Sequence, residues 1–234
     1  MQLTWAVAAG LVAFPAGSCL RAQVFRLSVR SGEPERDCCE ECGAFLSTGI
    51  AIRCDCGTWL GAAWQVELLT AIAVALIFAR FGDQLQSIAF AFLALIGVAL
   101  ALVDLTVQRL PDALTLPAYP ALVGLLALTA IFEHAGSQLL RAMLGGAALA
   151  GCYLLLALLS RGMLGGGDVK LAGLIGLALG WLGWGSLITG ACLGFLLAAA
   201  VSLVLLAARR VNRTTLISFG PFMLAGALLA LLAS

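Results

Sequence analysis

The sequence predicts an all-α polytopic membrane protein of about eight transmembrane helices, with one small cysteine-bearing loop domain between helices 1 and 2. Three observations carry that prediction. Of the 234 residues, 62% are hydrophobic and 11% charged, whereas soluble domains run at about 45–50% apolar and about 25% charged. The charges fall between apolar stretches that approach the roughly 20 residues needed to cross a bilayer. Five of the eight cysteines lie together at positions 38 to 56.

Residues 3–20 form the first span. The run ends in Ala16, Gly17, Ser18 and Cys19, a faint likeness to a cleaved signal. A secretory signal carries its basic residues first, but here Arg21, Arg26 and Arg30 follow the run. A retained helix is therefore expected, with a cleaved signal as the alternative. Further spans are expected over 61–80, 84–103, 113–132, 142–160 and 214–234. The uncharged stretch 171–208 is long enough for two helices, divided at the turn signal GWLGWGS over 180–186. The organisation read from this is a first helix (1–20), a loop domain (21–60) and a seven-helix membrane domain (61–234).

The basic residues orient the bundle. Alternating eight spans places four loops on one side. They carry Arg21, Arg26, Arg30, Arg36 and Arg53; then Arg109; then Arg161 and Lys170; then Arg209, Arg210 and Arg213. The other side holds only Arg80 and Arg141. The positive-inside rule makes the four loops cytoplasmic and the N-terminus external. A net charge of +1 without a basic tract argues against nucleic-acid binding.

The loop 21–60 is too short for a core without a staple. Cys39-Glu-Glu-Cys42 is a CxxC knuckle and Cys54-Asp-Cys56 a tighter CxC. Two close thiol pairs suit a structural zinc held by four thiolates. A cytoplasmic location disfavours disulfides and leaves redox thiols as the competing reading. Cys38 is the alternative to Cys39 as ligand. Cys19, Cys152 and Cys192 lie in apolar spans and read as packing residues.

Two aspartates end long apolar runs: Asp104 in ALVDLTVQRLPDALTLP and Asp168 in LGGGDVKL. A carboxylate beside a membrane span is costly and points to function. In the span count both lie at the cytoplasmic edge. The glycines Gly165, Gly166 and Gly167 would let an extended substrate backbone approach Asp168, with Lys170 two residues on. The structural alternative is a helix-start aspartate favoured by the macrodipole. Asp112, directly after Pro111, competes with Asp104 but reads as a helix start. Two carboxylates brought close share a proton, so one activates water while the other donates to a carbonyl. Such chemistry requires no histidine, and His134 is the only one in the chain.

The ordered motifs resemble the type IV prepilin peptidase family, membrane aspartic proteases of the GxGD kind. Gly17 to Leu27 resembles GSFLNVVIxRLP, and the cysteine loop resembles the family's CxxC…CxxC module. Glu67-Leu68-Leu69-Thr70 resembles its ELLT. Asp104 to Pro117 resembles DxxxxxLPDxLTLP, Gly165 to Leu171 resembles GxGDxKL, and Phe219-Gly220-Pro221-Phe222 resembles FGPF. The resemblance implies that Asp104 and Asp168 form the catalytic pair. It implies removal of a short basic leader from type IV prepilins or pseudopilins of pilus or type II secretion machinery, in the bacterial inner membrane. For many members it also implies methylation of the new N-terminus with S-adenosylmethionine. The departures are Cys19, Arg21-Ala22-Gln23, the CxC and the extra Cys38. They lie in the N-terminal half and leave the methylation open. Competing functions are a small ion-coupled transporter using intramembrane carboxylates and a non-enzymatic zinc-loop assembly factor.

Overall fold

In a computed structural model, residues 2–29, 36, 38–39, 41–43, 56, 64–160, 164–210 and 218–234 are described, and their regular structure is helical. Eight helices follow in order: α1 (Gln2–Leu27), α2 (Gln65–Phe81), α3 (Gln86–Val107), α4 (Asp112–Phe132), α5 (Gly136–Leu159), α6 (Gly166–Leu182), α7 (Trp184–Ala207) and α8 (Gly220–Ala233). Five are long and apolar enough to cross a membrane: α1, α3, α4, α5 and α7. With 17 residues each, α2 and α6 are shorter, and α8 has 14. The chain is a multi-pass membrane protein. Leu196, Leu203 and Val204 on α7 are each about two-thirds exposed, an arrangement that suits lipid and not water.

The helix boundaries follow the apolar runs, except that basic residues expected in loops ride on helices: Arg141 on α5, Lys170 on α6 and two more on α1. α1 continues beyond residue 20 to Leu27, so Arg21 and Arg26 ride on the helix and do not lie in the following loop. Arg21 is buried there because α2 supplies its partner, Glu67. The expected turn within 180–186 falls at Gly183, whose φ of 154° and ψ of 167° end α6 and begin α7.

The chain divides into two compact units, Met1–Leu114 and Thr115–Ser234. In the first, α1 packs antiparallel on α2, and α3 packs against both. Small residues permit the approach, as is usual where lipid supplies no hydrophobic drive between helices. A Cβ on Gly17 would sit 2.6 Å from the Thr70 hydroxyl and 2.7 Å from the Glu67 Cα.

In the second unit α6 is central. Every residue from Leu171 to Trp181 is buried, the pattern of a helix enclosed on all sides. α5 lies against it through glycine: a Cβ on Gly176 would be 2.6 Å from the Gly145 carbonyl oxygen and 2.8 Å from the Gly146 Cα. Arg141 of α5 closes the far end of α6. Its Nε donates to the Gly180 carbonyl at 2.9 Å, and Nη2 donates to the Trp181 and Leu182 carbonyls at 2.5 and 3.3 Å. These acceptors belong to the last turn of a helix, where no backbone donor remains. A cation there also meets the negative end of the macrodipole. Arg141→Leu should lower stability by about 1–3 kcal/mol, the cost of stripping a charged donor from buried acceptors. Arg141→Lys should recover only part of this, because an ammonium lacks the planar fork. Thermal unfolding in detergent reads the difference, and an unchanged midpoint for Arg141→Leu would contradict this role.

Candidate active site and cysteine cluster

Asp104 lies in the last turn of α3, 5% exposed. Its carbonyl accepts the Gln108 N–H at 2.8 Å, and Gln108 ends the helix in the left-handed region at φ 51°. Two residues beyond Asp104, the Thr106 hydroxyl donates to Ser28 Oγ at 3.2 Å, and Ser28 Oγ donates to the Val24 carbonyl at 2.6 Å. The end of α3 is thereby tied to the end of α1. Asp112 opens α4 and is exposed. Burial thus separates the two carboxylates that share the motif. Solvation is freely available to Asp112, whereas Asp104 is held inside protein, where a charge is expensive unless used or compensated.

Asp168 occupies the third position of α6. Its Oδ2 accepts the Gly165 N–H at 3.3 Å, while its own N–H donates to the Gly165 carbonyl at 3.1 Å. This is the helix-start role considered from sequence, and it fixes the carboxylate without enclosing it. The preceding glycines leave space and do not relieve strain. Gly165 has an ordinary extended conformation at φ −73°, and a Cβ on Gly166 would meet nothing within 4 Å. Lys170 is half-buried, one helical turn from Gly166, and its carbonyl accepts the Tyr119 hydroxyl at 2.6 Å. Asp104 belongs to the first unit and Asp168 to the second.

The cysteine spacing translates directly into geometry. The Cys39, Cys42 and Cys56 sulfurs lie within 4.8 Å of one another, with Cys39 buried. Cys39 Sγ and Cys56 Sγ are 3.8 Å apart. With Zn–S bonds of about 2.3 Å, the edge of a tetrahedral thiolate site is about 3.8 Å, so this pair already has the span of two zinc ligands. Cys38 is exposed and stands outside the cluster. Cys54, the fourth expected ligand, lies outside the described residues.

One polar group was not singled out by motif chemistry. Arg21 of α1 and Glu67 of α2 form an ion pair at 1% and 0% exposure. Ser18 Oγ donates to the second Glu67 oxygen at 3.3 Å. The available signal was two opposite charges near facing ends of successive apolar helices. Arg21 belongs to α1 and not to the loop that follows.

Comparison with known proteins places these features in context. A model of the type IV leader peptidase family matches residues 90–209, a stretch containing Asp104, Asp112 and Asp168. A prepilin leader peptidase/N-methyltransferase of Burkholderia pseudomallei is 31% identical across 97% of this chain and 84% of its own length. Proteins of the same name from Aeromonas hydrophila and Pseudomonas aeruginosa are 34% and 32% identical over 71% of this chain. In those two the match spans 57% of the relative's length. No solved structure matches.

Proposed function

The chain belongs to the type IV leader peptidase family, and from that premise we propose a membrane aspartic endopeptidase with Asp104 and Asp168 as catalytic carboxylates. The substrates proposed are type IV prepilins or pseudopilins, from which a short basic leader is removed. The observation that carries the reading is the family match over residues 90–209, within which Asp104 is buried and Asp112 is exposed.

The chemistry needs only two carboxyl groups and water. One carboxylate takes a proton from water as its oxygen adds to the scissile carbonyl carbon. The protonated partner gives its proton to the carbonyl oxygen. Collapse of the tetrahedral intermediate breaks the C–N bond as one hydroxyl returns its proton to the partner, and the departing amine takes up the proton held by the first group. The positive-inside pattern supports cleavage at the cytoplasmic face of a bacterial inner membrane, next to the loops that bear most of the arginines. The pilus or type II secretion machinery is the proposed destination of the product.

Zinc is the metal proposed for the cysteine loop, held by Cys39, Cys42 and Cys56 with Cys54 as fourth ligand. Four thiolates leave no open coordination position, so the ion would fold the loop and take no part in hydrolysis. Purified protein should contain about one zinc per chain. Cys39→Ser with Cys42→Ser should lose it, while Cys38→Ser should keep it. Elemental analysis that finds no metal in the wild type would rule the site out.

The relatives' printed names include N-methyltransferase, and methylation of the new N-terminal amine with S-adenosylmethionine is proposed as a second activity. No residue is assigned to that cofactor. The deciding experiment incubates purified enzyme with a prepilin peptide, with and without S-adenosylmethionine, and weighs the product. Loss of the leader mass supports the peptidase, and an added methyl mass supports the transferase. An uncut peptide under conditions where a family relative cuts it would overturn the proposal.

A further inference from the structure

We propose that Tyr119 is a positioning residue for Asp168, acting from α4 through the backbone of the first turns of α6. The inference rests on the reading of Asp168 as catalytic.

That end of α6 is lightly built, its cap being the 3.3 Å bond from the Gly165 N–H to Asp168 Oδ2. It begins Gly166-Gly167-Asp168 after Gly165, and glycine both favours the unfolded chain and brings no side chain to pack. The unbroken burial of α6 starts only at Leu171, and its close contacts with α5 start at Gly173, whose carbonyl oxygen would lie 3.2 Å from a Cβ on Gly146. Asp168 therefore precedes the packed part of its helix. Between the two stands Lys170, whose carbonyl takes the Tyr119 hydroxyl at 2.6 Å. A carbonyl oxygen has two lone pairs. One serves the α-helical ladder, and Tyr119 uses the other with the short separation typical of a good O–H···O bond.

Gly173, one turn further on, makes room for this bond. A Cβ there would collide with the Tyr119 hydroxyl and lie 3.0 Å from Cζ and 3.2 Å from Cε1 of the ring. The two residues thus form a matched pair, a phenol on α4 and an absent side chain on α6. Pro117 and Pro120 flank Tyr119, and each removes one rung of the α4 ladder. The bond to Lys170 is accordingly an anchor for α4 as well as for α6. Without it, the glycine-led turn loses its tie to α4, and Asp168 is held less firmly. Displacement of a reacting group by about 1 Å costs on the order of 100-fold in rate.

The test is a kinetic cycle on the full-length enzyme with a prepilin peptide. Tyr119→Phe removes only the hydroxyl and should lower kcat about 10-fold or more while KM stays within about twofold. Gly173→Ala should lower kcat similarly by expelling the hydroxyl. The double variant should be no slower than Gly173→Ala alone, because both changes break one bond. Amide exchange over Asp168–Lys170 should quicken in Tyr119→Phe while the later turns of α6 stay protected. Wild-type kcat in Tyr119→Phe beside an inactive Asp168→Asn overturns the positioning role and leaves the peptidase reading intact. So does a double variant whose losses simply multiply. Full cleavage by Asp168→Asn removes both. If Tyr119→Phe does not accumulate, Gly173→Ala alone carries the kinetic and exchange readouts.

Discussion

Asp104→Asn and Asp168→Asn should each abolish leader removal while the protein stays folded and inserted. Loss of a general acid or base costs about 10²–10⁴-fold, and the proposed mechanism needs one carboxyl group in each role. Each substitution keeps one support that the structure shows. The hydrogen bond that ends α3 uses the carbonyl of Asp104, not its side chain. An asparagine at 168 still offers an oxygen to the Gly165 N–H, which Asp168 Oδ2 now accepts. Unfolding midpoints should therefore stay near wild type in both variants. Asp112→Asn should cleave nearly normally, since Asp112 is exposed in the first turn of α4 and a charge lost there costs only about 0.3–1 kcal/mol of helix stability. The double variant should be no worse than either single one, because residues acting as a unit are not additive. Full activity in both single variants would return the carboxylates to a transport or purely structural role.

The second large effect concerns stability. Glu67→Ala should destabilise the first unit by about 3–5 kcal/mol, the cost of leaving one partner of a buried ion pair uncompensated. Arg21 would keep its charge at 1% exposure with its α2 counter-ion gone, and the Ser18 hydroxyl would lose its acceptor. Replacing both members, Arg21→Met with Glu67→Leu, should cost much less than the single change. The comparison separates the worth of the pair from the penalty of breaking it. Denaturation in detergent measures all three proteins. Equal stability of Glu67→Ala and wild type would show that the pair is dispensable.

The helices were legible wherever apolar length decided them. Residues 113–132 anticipate α4 almost to the residue, and the glycine–tryptophan punctuation anticipates the break at Gly183. The overshoot of α1 was hidden because an arginine reads as solvent-exposed until its partner is known, and Glu67 lies 46 positions away. The Cys39–Cys42 pair was legible because CxxC spacing constrains thiols locally, and Cys56 joins it from 17 positions beyond Cys39. The bonds of Arg141 and Tyr119 to carbonyls of α6 were not. They join a side chain on one helix to the backbone of another, and depend on the register between helices. Nothing in the local pattern encodes that register.

The break at Gly183 also bears on how the chain enters the bilayer. Residues 171–208 contain no charge, and as one helix at 1.5 Å per residue they would extend roughly 57 Å, nearly twice the hydrocarbon thickness of about 30 Å. Backbone angles that only glycine adopts without strain turn that stretch into a hairpin. A side chain at this one position would strain the break that lets two helices fit where one would overshoot the bilayer.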